Sequence, residues 1–157
     1  MKTNLLLHII LSTFVLFFVN CKPAENTDSS KTGSQSAKYK PAKLPEAPSE
    51  YQKKKNPFEG NEQAIAKGKI TFEKKCKKCH GEKGDGKGEK ADVLGYKPIA
   101  FSEPGYLKTR SDGQLFFIIE NGSPDTDMDA YGKGTSTNLD EEKIWEIISY
   151  FRKEFTK

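Results

Sequence analysis

The sequence predicts an all-α domain over residues 57–157, carried behind a non-globular N-terminal segment. Three observations lead there. Three separate stretches repeat apolar residues at three- and four-residue spacing, each opened by its own helix-start signal. No stretch alternates apolar and polar residues for long enough to make a sustained strand. The stretches are separated by loops that hold most of the chain's thirteen glycines.

Taken in order, Asn61 is the candidate N-cap of the first helix. Ala64, Ile65, Gly68, Phe72, Cys76 and Cys79 then fall on one of its faces. Ser111-Asp112-Gly113-Gln114 reads as a capping box, in which the Gln side chain reaches back to the cap residue. It opens a short second helix through Leu115, Phe116, Ile118 and Ile119, and Asn121-Gly122 supplies the stop. Asp140-Glu141-Glu142 places acidic groups at the start of a third helix, where they favour its dipole, and Lys153 lies near its end. Residues 144–151 form the apolar body of that helix. A long loop containing Met128 joins the second helix to the third. A domain of this size is marginal on apolar burial alone, so three helices around so much loop need something large to pack against.

The N-terminal side divides in two. Residues 1–20 read as a signal peptide: one Lys, then fifteen mostly apolar residues at 5–19, too short to span a bilayer comfortably as a mature helix. Phe18-Val19-Asn20-Cys21 resembles the lipobox of bacterial lipoproteins, in which the cysteine is lipid-modified and becomes the new N-terminus; Asn20 stands where that pattern has Gly, Ala or Ser. A cleavable signal with an incidental Cys21 is the alternative. Both place the mature protein outside the cytoplasm, and the lipid reading anchors it on the periplasmic side of a cell-envelope membrane. Residues 21–56 continue as a Lys-, Ser- and Pro-rich tether with almost no aliphatic side chains, a composition that cannot offset its ordering entropy. As flexible coil it reaches roughly 30–36 Å.

Net charge is +4, and it sits in that tether: residues 22–56 hold eight Lys against four acidic residues, whereas residues 57–157 hold seventeen basic against eighteen acidic. The basicity is therefore no sign of a nucleic-acid partner. Within the domain the charge is polarised. Residues 67–90 carry nine Lys against four acidic residues, and residues 112–146 carry nine acidic residues against two Lys. Such a dipole orients encounters with a charged partner, and Lys74, Lys75, Lys77, Lys78 and Lys83 are candidates for a docking rim.

The stretch KKCKKCHGEKGDGKG at 74–88 concentrates the chemistry. Carried on a last helical turn, Cys76, Cys79 and His80 share one side, where two thiols can add to the two haem vinyl groups while the imidazole reaches the iron. Cys-x-x-Cys-His therefore reads as c-type haem attachment. Competing readings are weaker. Zinc needs four ligands, and outside the leader and Cys21 the chain offers only these three Cys and His side chains. A thiol redox motif wants a βαβ context. As a phosphate loop, Gly81 and Gly86-Lys87 have the spacing, but Gly88 replaces the Ser or Thr and a helix precedes in place of a strand. Outside the leader His80 is the only His and Met128 the only Met, so Met128 is the candidate second axial ligand of the iron. A loop methionine packed on an aromatic ring is the plain alternative. Asp125-x-Asp127-x-Asp129 imitates the opening of a calcium loop, with Ala130 at its glycine position and Ser136 at its terminal glutamate position.

With these residues in view, positions 61–155 resemble a class I c-type cytochrome. The resemblance implies a small fold of about three to five helices around one covalently attached haem c, with crossing N- and C-terminal helices. Gly68 and Phe72 resemble the N-terminal-helix pair at that crossing, and Ile147, Tyr150 and Phe151 the helix that crosses it. His80 matches the proximal ligand and Met128 the distal one; Asp129-Ala130-Tyr131 follows where many relatives have Pro and an aromatic. Lys97-Pro98-Ile99-Ala100-Phe101 resembles the segment whose Pro carbonyl accepts the hydrogen bond from the histidine Nδ1, which assigns that role to Pro98. Trp145 is placed in the helical core or within reach of a haem propionate. The function so implied is a membrane-anchored carrier of single electrons, no enzyme itself, serving redox proteins such as a terminal oxidase or a peroxidase in a respiratory chain. A haem-dependent enzyme or ligand sensor, peroxidase-like with a labile sixth ligand, is the alternative.

Overall fold

The structure, a computed structural model, describes residues 43–156. The readings placed on residues 1–42, namely the signal peptide, the lipid site at Cys21 and most of the tether, lie outside the described residues. Helices α1 (Ser49–Gln52), α2 (Glu62–Lys75), α3 (Lys77–His80), α4 (Asp112–Asn121) and α5 (Glu141–Phe155) follow one another, with 3-10 turns at Ala91–Val93 and Leu107–Thr109. Among the described residues no strand forms, and an isolated bridge pairs Ser123 with Met128.

All three sequence-predicted helix starts are found, each with its orphan amides satisfied by the cap side chain. Asn61 accepts from the amides of Gln63 and Ala64 at 3.0 Å, Ser111 from that of Gln114 at 3.1 Å, and Asp140 from that of Lys143 at 2.9 Å. Each such cap is worth about 1 kcal/mol. The first predicted helix does not run unbroken into the cysteine motif. α2 stops at Lys75; Cys76 still donates to the Phe72 carbonyl, while Cys79 and His80 both donate back to the Cys76 carbonyl, which starts α3 as a separate turn.

α2 and α5 cross at Gly68, where a Cβ would overlap the Glu146 carbonyl of α5. One turn on, Phe72 packs against Tyr150, Phe151 and Phe155 at ring separations of 5.4–5.7 Å. Phe72, Phe116, Leu107, Ile144, Ile147 and Ile148 are fully enclosed. Beside the crossing, buried Glu146 is met by Lys67 of α2 at 3.2 Å. Trp145 is buried in the core, its ring tilted against Phe116 at a separation of 4.4 Å. Gly68→Ala should therefore destabilise the domain by about 2–3 kcal/mol in thermal or denaturant unfolding. The helix-propensity gain of roughly 1 kcal/mol is outweighed because backbone meets backbone and neither helix can yield without displacing the core.

The tether does not extend to residue 56. Residues 44–56 lie against the domain: Ala47 and Asn56 are buried, α1 packs on α4, and the Asn56 amide donates to Ser149 Oγ at 2.9 Å and to the Trp145 carbonyl. The physical reason is that this contact needs few aliphatic side chains. It is made by one aromatic ring, Tyr51 edge-on to Phe117 at 5.0 Å, and by polar groups that find fixed partners.

Candidate functional site

The glycine-rich loop after α3 folds back along it. Gly86, Gly88 and Lys90 donate their amides to the carbonyls of His80, Cys79 and Lys78 in turn. Amides so used cannot cradle a phosphate, which removes the phosphate-loop reading on geometric grounds. What the loop does is wrap the histidine turn and bring the segment 97–101 over it. Phe101 then stacks on the His80 ring at 4.5 Å and on Phe151 at 4.5 Å.

His80 is buried, and its Nδ1 lies 3.0 Å from the Ile99 carbonyl, to which it donates in the tautomer that leaves Nε2 unprotonated. This corrects the assignment of that acceptor to Pro98. The Pro98 carbonyl is turned instead onto Gly86, where a Cβ would overlap it, and this close approach sets the register one residue further along. Burial lowers the imidazole's affinity for a proton, against a smaller opposing effect of the Ile99 carbonyl, which favours the neutral ring with one lone pair to give.

Beneath His80 opens a crevice enclosing about 1050 Å³, open solvent included. Its wall is mostly apolar, with Leu94, Ile99, Leu115, Ile119 and Ile147 among the contributors. Cys76, Cys79, His80, Pro98 and Met128 all line it, so the sequence-predicted site residues of the described region meet in one place. Both cysteines are free thiols. Burial, then the neighbouring Cys79, pushes Cys76 up to about 12; burial also raises Cys79. Thiols held protonated in this way are poor agents of thiol–disulfide exchange, which needs a ready thiolate.

Met128 is presented by a tight turn. Its carbonyl accepts from the Ser123 amide at 2.9 Å and its amide donates to Thr126 Oγ1 at 3.2 Å. Tyr131 ties the same loop to the end of α2, its hydroxyl donating to the Lys75 carbonyl at 3.3 Å; burial pushes this phenol up to about 12. The Asp127 carboxylate is engaged by the amides of Gly95 at 2.9 Å and Tyr96 at 3.3 Å, closing the loop against the opposite rim. Asp127, Asp129 and Lys90 all act electrostatically on Cys79, so the rim there is of mixed charge. Within the lysine-rich stretch, Lys77 and Lys78 stand near Glu82 and Glu89 at 3.9 and 3.8 Å.

A porphyrin with a central iron fits this crevice. The wall is apolar enough to take a flat hydrophobic macrocycle. Two thiols, an imidazole and a thioether, those of Cys76, Cys79, His80 and Met128, line the same cavity. In the wall, the buried Ser123 Oγ has no partner, a polar atom waiting on a polar group of whatever fills the space. Sequence reasoning missed Ile99 as acceptor, Leu44 as part of the wall, and the buried role of Gln114; only the capping-box spacing marked Gln114, and it assigned a different contact.

A family model described as cytochrome c oxidase, cbb3-type, subunit III matches residues 63–151. Among solved structures, the chain is similar to the Kuenenia stuttgartiensis reducing HAO-like protein complex Kustc0457/Kustc0458, at 26% identity and a TM-score of 0.53 over 64% of this chain and 47% of that one. It thus spans about half the length of that relative. It is also similar in fold to cytochrome cL of the methylotroph Methylophaga aminisulfidivorans, at 23% identity and a TM-score of 0.50 over 72% of each chain. No curated protein matches the sequence.

Proposed function

The chain belongs to the c-type cytochrome family whose model bears that description, as a class I cytochrome with one covalently attached haem c, and on this premise we propose that it carries single electrons between redox partners while anchored to a membrane. In this reading Cys76 and Cys79 would hold the haem through thioether bonds, and His80 and Met128 would supply the protein ligands of its iron. The observation that carries it is His80: buried, its Nδ1 committed to the Ile99 carbonyl and its Nε2 left for a metal, in a crevice that Cys76, Cys79 and Met128 also line. Bound there, the group supplies a reversible one-electron couple. The chain's residues exclude water from it and hold its ligands. A thioether in the sixth position raises the reduction potential and fills the coordination sphere, which favours electron transfer over chemistry at iron.

Cys21 is the proposed lipid site, and residues 22–43 the link to the folded part. The partners proposed are redox proteins such as a terminal oxidase or a peroxidase, on the periplasmic side of the envelope. Full-length protein should enter the detergent phase on phase separation, and that phase should show a low-spin c-type spectrum that changes reversibly on oxidation and reduction. Protein that is colourless in whichever phase it enters would reject the cofactor ligation. A coloured aqueous phase would reject the anchor alone.

A further inference from the structure

We infer that residues 44–56 are a strap that completes the crevice, with Gln114 as its positioning residue, an inference that rests on the haem reading above. Gln114 is buried at the start of α4, yet its side chain does not reach back to Ser111 as a capping box would have it. It turns to the strap. Its Oε1 accepts from the Ala47 amide at 2.8 Å and from Gln52 Nε2 at 2.9 Å, and its Nε2 donates to the Pro45 carbonyl at 2.8 Å. Ser111 Oγ donates to Gln52 Oε1 at 2.7 Å, and the Tyr51 hydroxyl donates to Glu120. One amide side chain thus fixes three points of a segment that has almost no apolar anchor of its own.

Gly113 explains how the strap gets so close. A Cβ there would overlap the Tyr51 carbonyl, so the glycine is a notch cut in α4 for the strap backbone. Gly113 is the second residue of α4, and the strap backbone fills the space a side chain would need there. The neighbours of this notch face the site: Leu115, Ile118 and Ile119 of α4 line the crevice, and Leu44, at the head of the strap, lines it with them. The strap therefore does two things. It holds α4 against the crevice from behind, and it supplies Leu44 to the wall, keeping solvent from that edge. Solvent exposure is one of the levers on haem reduction potential, so the strap sets part of the potential from outside the ligand set.

Gly113→Ala tests this cleanly, because the substitution favours α4 while filling the notch. In the haem-loaded full chain, tryptic cleavage at Lys53, Lys54 or Lys55 should speed up by roughly tenfold, the loss expected from breaking one or two hydrogen bonds. The reduction potential should fall, and cyanide should bind the ferric protein faster, with covalently retained haem unchanged. Gln114→Ala should reproduce all three changes. Leu44→Ala, which leaves the anchor intact, should move potential and cyanide entry in the same direction without faster cleavage; it also decides the matter should the α4 variants not fold. Faster cleavage with unaltered potential and cyanide entry would reduce the strap to a mere linker and overturn the inference. Unaltered cleavage in Gly113→Ala would overturn it as well. Wild-type protein without covalent haem would instead overturn the haem reading, and the inference with it.

Discussion

Changing Cys76 and Cys79 together to Ala should abolish accumulation of holoprotein, with haem staining of denatured polypeptide falling at least roughly tenfold. Each thiol would add S–H across one vinyl double bond, so no other atom need leave, and among the described residues these are the only thiols. The loss should extend to the fold. The crevice wall draws apolar residues from α4 and α5 and from both long loops, and without a filler those side chains face a space open to water. At about 25 cal/mol per Å² of apolar surface, exposing a few hundred Å² costs about as much as the whole stability of a small domain. Far-ultraviolet circular dichroism of the double variant should accordingly show less helix than the wild type. Each single variant should retain some haem on the remaining thioether. Undiminished covalent haem in the double variant would refute the attachment assignment.

What the sequence made legible follows from how local each signal is. Asn61, Ser111 and Asp140 mark helix starts by contacts within three residues, so each could be read from the chain alone. Gly68 and Phe72 were legible through a family likeness, and their crossing with α5 stands in the structure. The cysteine motif has fixed spacing, and loop length does not blur it. Contacts set by tertiary register were another matter. Whether Pro98 or Ile99 accepts from His80 depends on how Gly86 nests against the Pro98 carbonyl, which no spacing rule contains. The strap was hidden for a similar reason. Composition correctly says that residues 44–56 have little to bury, yet their docking uses a notch and an amide of α4 more than sixty positions away, with Tyr51 and Asn56 adding contacts to α4 and α5. Gln114 obeyed the local capping pattern by spacing while its side chain answered a distant demand.

Met128→Ala should open the sixth position while leaving the loop in place. The turn around it is held by backbone and neighbouring groups, Ser123 to the Met128 carbonyl, Thr126 to the Met128 amide, and Tyr131 to Lys75, none of which uses the thioether. The effect should therefore be confined to the iron. The charge-transfer band from sulfur to ferric iron should vanish, and carbon monoxide should bind the ferrous protein, which the wild type should resist. The reduction potential should drop by on the order of 0.1 V or more, a modest part of the roughly 0.8 V over which axial ligands tune haem. Its sign follows from ligand character, since loss of the thioether removes the ligand that favours the ferrous state. Absence of that band already in the wild type, with a potential unchanged by Met128→Ala, would mean that another side chain holds the sixth position. Lys75 and Lys97 both line the crevice, so the variants Lys75→Ala and Lys97→Ala would then identify it, the true ligand being the one whose removal admits carbon monoxide.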